Sequence, residues 1–191
     1  MTIFYNQKTS TLIVNLSSHS RNKIIENENF SSIYNDDELV GFNIFNFKLN
    51  HQSGFIKFNK ELYQSIQEIT KLEFNYSPSF IVAHVEICDP IPNTHLHKCL
   101  LTDGLEKYDV ICGANNIKSN INVVFAKNGA ILPSGQQINS GELMGYKSMG
   151  MICSYKELNM KNPDNLAGII IVSENKYKIG DEFIDFFNQQ N

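Results

Sequence analysis

The chain has 191 residues, enough for one ordinary domain or two small ones. Apolar residues make up 42% and charged residues 19%, which excludes a disordered chain; no apolar run approaches the roughly 18 residues of a membrane span. Net charge is −4 and Arg21 is the single arginine, against the basic balance of a generic polyanion binder.

The opening residues, Met1-Thr2-Ile3-Phe4-Tyr5-Asn6, hold no basic stretch followed by an apolar one. A cytoplasmic chain without a secretory signal is therefore expected, with Cys88, Cys99, Cys112 and Cys153 as reduced thiols. Thr11 to Leu16 reads as a short strand, and Glu38 to Phe47 as a second extended stretch with partial alternation. Asn59 is placed as a helix N-cap, with Leu62, Ile66 and Ile69 on one face of a helix that runs to about Lys71. Strands followed by a helix predict a small α+β N-terminal domain over residues 1–76. The polar stretch Asn75-Tyr76-Ser77-Pro78-Ser79 marks the boundary.

A second domain is predicted over 79–191, with a β core over 79–160 and a C-terminal extension over 161–191. Phe80 to Ile87 reads as a strong strand, ended by Asp89-Pro90-Ile91-Pro92-Asn93, since proline is unfit for a central strand. Short strands follow at Lys98–Thr102, Tyr108–Cys112, Asn122–Ala126 and Met149–Ser154. Asp103-Gly104, Cys112-Gly113, Asn128-Gly129 and Pro133-Ser134-Gly135 punctuate them. Five short strands with turn signals between them predict a small closed barrel or sandwich. A short helix around Tyr155–Leu158, a strand over Gly168–Ser173 and a last helix over Asp181–Phe187 complete the reading.

No Gly-rich phosphate loop, nucleophile elbow, kinase or metalloprotease signature is present, so no enzyme and no cofactor are expected. His95, His97 and Cys99 alternate, and with His84 and Cys88 nearby they could ligate zinc. The missing Cys-x-x-Cys pair and a loop setting favour the plainer reading: small core cysteines and surface histidines. Between Val110 and Lys156, Lys118, Lys127, Lys147 and Lys156 face Glu142 alone. The second part has few aromatics (Phe80, Tyr108, Phe125, Tyr146, Tyr155), several of them fit for the core. That suits docking on folded RNA by backbone and shape better than stacking along single strands.

The blocks Pro92-Asn93, Asp103-Gly104, Val110-Ile111-Cys112-Gly113-Ala114 and Val123-Val124-Phe125-Ala126 keep an order that resembles the tRNA-binding domain of bacterial phenylalanyl-tRNA synthetase β chains. The blocks Gly129 to Gly135 and Ser148 to Leu158 do the same, so the resemblance covers about Phe80 to Met160. Phe4-Tyr5-Asn6 and Gly41 to Asn46 resemble the N-terminal domain of the free-standing YtpR family. The resemblance implies an OB-fold, a five-stranded Greek-key barrel, that binds tRNA, without a synthetase catalytic core. It nominates Ser148 and Met151 at the tRNA-contacting surface, with Asn93 and Asn116 at matching loop positions. Lys98 and Lys127 would supply charge, and Lys118 and Lys147 complete the expected surface. Two departures weaken phosphate binding: His95 stands in a loop that usually carries an aspartate and a basic residue, and Met144 stands where the family often has arginine.

The reading is a non-catalytic tRNA-binding protein that recognises folded tRNA through its barrel face, with no metal, membrane or DNA partner. Its rival is a protein-interaction module that keeps the fold with weak or lost RNA binding. Ile169, Ile170, Ile171, Phe183, Phe186 and Phe187 could form a homodimer surface or close the core of one chain, and the sequence leaves both open.

Overall fold

The computed structural model describes residues 1–162 and 166–185. They fold as two compact units, Met1–Pro78 and a second from Ser79 onward.

The first unit is a six-stranded antiparallel sheet carrying one helix. Its strands are β1 (Thr2–Asn6), β2 (Thr11–Asn15), β3 (Lys23–Glu26), β4 (Phe30–Asn35), β5 (Glu38–Ile44) and β6 (Gly54–Phe55), in the order β3-β4-β5-β2-β1-β6. Period-two alternation sets the faces. In β2, Leu12 and Val14 are buried and Ile13 is exposed. The register places Val14 opposite Phe42 and Leu12 opposite Ile44. Helix α1 (Lys60–Thr70) begins at Asn59, whose Oδ1 accepts from the Leu62 N–H at 2.8 Å. It ends on the left-handed Lys71, whose N–H donates to Gln67 O. Leu62 and Ile66 join the core of Ile3, Tyr5, Leu12, Val14, Phe42 and Ile44. The third buried helix position is Thr70 rather than Ile69, which is exposed. The i, i+4, i+8 stripe passes one residue beyond Ile69, and the Thr70 hydroxyl is satisfied within the helix by Ile66 O at 2.9 Å.

The second unit is a nearly closed five-stranded barrel. Strands β7 (Phe80–Pro90), β8 (His97–Thr102), β9 (Lys107–Cys112) and β10 (Ile121–Lys127) are followed by a hairpin of β11 (Gly141–Leu143) and β12 (Tyr146–Ser148), then β13 (Gly150–Ile152). The sheet order is β13-β10-β7-β8-β9, and a short β14 (Ile171–Val172) also pairs with β10. Closure comes from the chain just before β13: Met149 N donates to Asp109 O at 2.8 Å, and Ile111 N to Ser148 Oγ at 3.2 Å. Ile81, Ala83, Val85, Cys99, Leu101, Val110, Val123, Phe125 and Ile152 fill the interior.

Four local expectations are corrected. Strand β7 runs on through Pro90, opposite His97, because proline is tolerated at a strand end. Tyr155–Leu158 forms no helix; residues 155–159 are a turn closed by Leu158 N to Ser154 O at 3.2 Å. The Gly168–Ser173 strand shrinks to β14 and a single bridge between Ser154 and Ile169. Residues 181–184 are not helical. The segment lies along the part of β7 that β8 does not reach, with Val82 N donating to Asp181 O at 2.9 Å and Phe183 N to Phe80 O at 3.0 Å. Phe186 and Phe187 lie outside the described residues. Of the apolar residues nominated for a dimer surface, Ile169, Ile170 and Phe183 are buried within this unit, and Ile171 is exposed.

Candidate nucleic-acid interface

Five-stranded barrels of this type bind oligonucleotides on the face of their second and third strands and on the loops after the first and fourth. Here these are β8 and β9, the 91–96 turn, and the 128–149 segment.

The turn after β7 braces itself. Ile91 N donates to Leu96 O at 2.8 Å. The Thr94 hydroxyl donates to Ile91 O at 2.9 Å and accepts from Leu96 N at 3.0 Å. Ile91 is buried beneath it, while Asn93 (φ 60°) and His95 are presented to solvent.

On the outer face of β8 and β9, Lys98 and Ile111 are cross-strand partners. Ile111 in turn holds Ser148 through its N–H, and the Ser148 hydroxyl donates to Gly150 O at 3.3 Å. The structure thus brings Lys98 and Ser148 onto the two sides of Ile111. Met151, half-buried, lines a cavity of about 280 Å³ with Gly113, Ala114, Ser154 and Glu157. Gly150 (φ 152°) separates Ser148 from Met151. A Cβ there would lie 2.5 Å from both Ala126 O and the Phe125 ring, so β13 pairs this closely with β10 only because the side chain is missing.

The cations are not equivalent. Lys98 Nζ lies 4.0 Å from Asp109, and Lys107 Nζ lies 2.8 Å from Glu86. Lys127 turns inward: its Nζ is 3.2 Å from Asp103 Oδ2 and 5.7 Å from the centre of the Tyr108 ring. Asp103 is buried and also accepts from the Leu105 and Glu106 N–H groups and from the Tyr108 hydroxyl at 2.7 Å. Burial alone would raise its pKa. The backbone of Glu106, the Tyr108 hydroxyl, the backbone of Leu105 and the Lys127 ammonium outweigh it and bring the carboxyl down to about 2. Burial, reinforced by Asp103, pushes the Tyr108 hydroxyl above its ordinary range. Lys118 and Lys147 are exposed, and neither has an ion-pair partner among the described residues.

Asn116 holds the protein's own backbone: its Nδ2 donates to Ile169 O and its Oδ1 accepts from Ile169 N, both at 2.9 Å. Gly168 (φ 92°) makes room for this clamp, since a Cβ there would come to 2.0 Å of Asn116 Oδ1. Glu157 is also spent internally. Its Oε2 accepts from the Ser154 N–H and hydroxyl, each at 2.7 Å, and Glu157 N donates back to Ser154 Oγ at 3.3 Å, the reciprocal arrangement of a capping box.

Among the described residues no three His, Cys, Asp or Glu side chains are placed to hold a metal ion. His84 Nδ1 is 2.8 Å from Asn122 Oδ1. Cys88 and Cys99 face each other across β7 and β8, with the Cys99 thiol donating to Cys88 Sγ at 3.8 Å. Burial pushes all four thiols above their ordinary range.

One feature escaped sequence reading. The β11–β12 hairpin projects Leu143, Met144 and Tyr146, all exposed, around a turn in which Met144 (φ 52°) and Gly145 (φ 80°) are both left-handed. Three-residue strands are too short for alternation to register; the residue pair before Tyr146 was the available signal.

Comparison with known proteins points the same way. A family model described as "Putative tRNA binding domain" matches residues 80–182. A Bacillus subtilis protein named "Putative tRNA-binding protein YtpR" is 34% identical over 200 residues, 96% of this chain and 99% of that one. An uncharacterised protein of Mycoplasma pneumoniae is 39% identical over 176 residues, 85% of this chain and 74% of that one. The phenylalanine–tRNA ligase β subunit of Streptococcus agalactiae is 41% identical over 81 residues, 42% of this chain and 10% of that subunit.

Proposed function

This chain belongs to the family of tRNA-binding-domain proteins that includes YtpR of Bacillus subtilis, and from that premise we propose a non-catalytic, cytoplasmic protein that binds folded tRNA mainly by shape and backbone through its barrel face. The observation that carries this reading is the Lys98–Ile111–Ser148 juncture, which sets a cation, a hydroxyl and the Met151 segment on the face where such barrels take nucleic acid. Asn93 and Lys147 extend that face on its two loops, and Lys118 adds a solvent-exposed cation. Asn116 and Lys127 act on the fold instead, the first bracing Ile169 and the second neutralising Asp103.

A second reading, a protein-interaction module on the same fold, is favoured by the acids that sit beside Lys98, Lys107 and Lys127. Fluorescence anisotropy of labelled folded tRNA, against an RNA duplex and a single strand of similar length, separates the two. Binding at micromolar concentration or tighter with clear preference for tRNA supports the first reading. Equal binding of all three RNAs removes it in favour of the second.

A further inference from the structure

Of the four lysines nominated for phosphate contact, only Lys118 and Lys147 make no ion pair among the described residues, and Glu142 stands opposite Lys147 in the hairpin register. Two phosphate contacts give a salt slope of only about −2, so phosphate pairing supplies little of the affinity that folded RNA would require. Other contacts must supply the rest. Beside Lys147, Leu143 and Tyr146 stand opposite each other in the hairpin register and therefore on one face. Met144 caps them at the turn and is 62% exposed. Among the described residues of the second unit, Tyr146 is the sole exposed aromatic side chain; Phe80, Tyr108, Phe125, Tyr177 and Phe183 are buried and Tyr155 half-buried. The turn holds these side chains outward on a paired ribbon, so ordering them on contact costs less than ordering a loose loop.

Resting on the tRNA-binding reading, we propose that the Leu143–Met144–Tyr146 tip seats unstacked nucleobases of the folded RNA, and that stacking and apolar contact there add to what shape and backbone contacts supply. Every base offers a flat π face, so such a tip needs no particular sequence. It does need bases that are not paired and stacked within a duplex.

The test uses the full chain and labelled tRNA over a salt series. The triple variant Leu143→Thr/Met144→Asn/Tyr146→Thr keeps strand-forming residues and a turn residue at ease in the left-handed region, and circular dichroism checks its fold. The expected result is a loss of about tenfold or more in tRNA affinity at every salt concentration, with an unchanged salt slope. A fully paired RNA duplex binds the wild type and the triple variant equally. Tyr146→Phe alone retains affinity because the ring remains. A triple variant that binds tRNA as the wild type does overturns the proposal and leaves the tip to a protein partner, with the tRNA-binding reading intact. A wild type that shows no preference for tRNA over the duplex overturns both.

Discussion

Lys127 and Asp103 form an ion pair of 3.2 Å in which the carboxylate side is almost fully buried and the ammonium lies over the Tyr108 ring. Lys127→Ala leaves that carboxylate without its cation. The expected outcome is a destabilisation of about 2 kcal/mol in urea unfolding, with the salt slope of tRNA binding unchanged in the folded protein. A slope that falls by about one would instead make Lys127 a phosphate contact.

The same carboxyl sets a pH dependence. Its pKa is about 2 when folded, against 3.8 for an unperturbed aspartate, so the unfolded chain binds the proton more tightly. The stabilisation is complete above pH 4 and is lost as pH falls toward 2, amounting to about 2 kcal/mol. Denaturation curves between pH 4 and 2 should show a shallower decline in Asp103→Asn than in the wild type.

Lys118 and Lys147 make the opposite prediction. Replacing both with alanine should leave the free energy of unfolding within about 0.5 kcal/mol, as for other exposed surface changes. The salt slope of tRNA binding should flatten by about one for each lysine.

Asn116 is expected to act through the fold alone. Asn116→Ala removes two hydrogen bonds and strands the N–H and C=O of buried Ile169, at a cost of about 1–3 kcal/mol. Gly168→Ala, which drives a Cβ into the same amide, should produce a similar loss. In both variants the folded fraction, measured by anisotropy well below the unfolding midpoint, should bind tRNA as the wild type does.

These contrasts explain what could be read before the structure. The five barrel strands were legible because Phe80–Ile87 and Asn122–Ala126 are apolar runs bounded by turn residues, and the Asn59 cap announced α1. In the first unit β1, β3, β4 and β6 were missed. The exposed Lys23–Glu26 strand and the two-residue Gly54–Phe55 strand exist only through pairing with neighbours, and nothing local marks them. Among the candidate site residues, type and position were readable but partners were not. Lys127 and Lys147 look alike in the sequence; one meets Asp103, which lies on a loop 24 positions earlier, and the other stays exposed and makes no ion pair among the described residues. Asn116 likewise finds Ile169 across 53 positions. Hydrogen bonds of that span belong to the assembled barrel and leave no local trace.

The segment at 180–183 lies along β7, with Ile81 bridged to Glu182. That pairing joins residues roughly a hundred positions apart, so the chain must meet the entropy of a very long loop before the contact repays it. The helix and hairpin contacts of the first unit carry no such toll. Refolding of the second unit should therefore be slow for its size, with its first strand left open along one edge until this late segment arrives. An unpaired edge of that kind is where a second chain can join, so the same strand that begins the barrel is the place where crowded refolding goes astray.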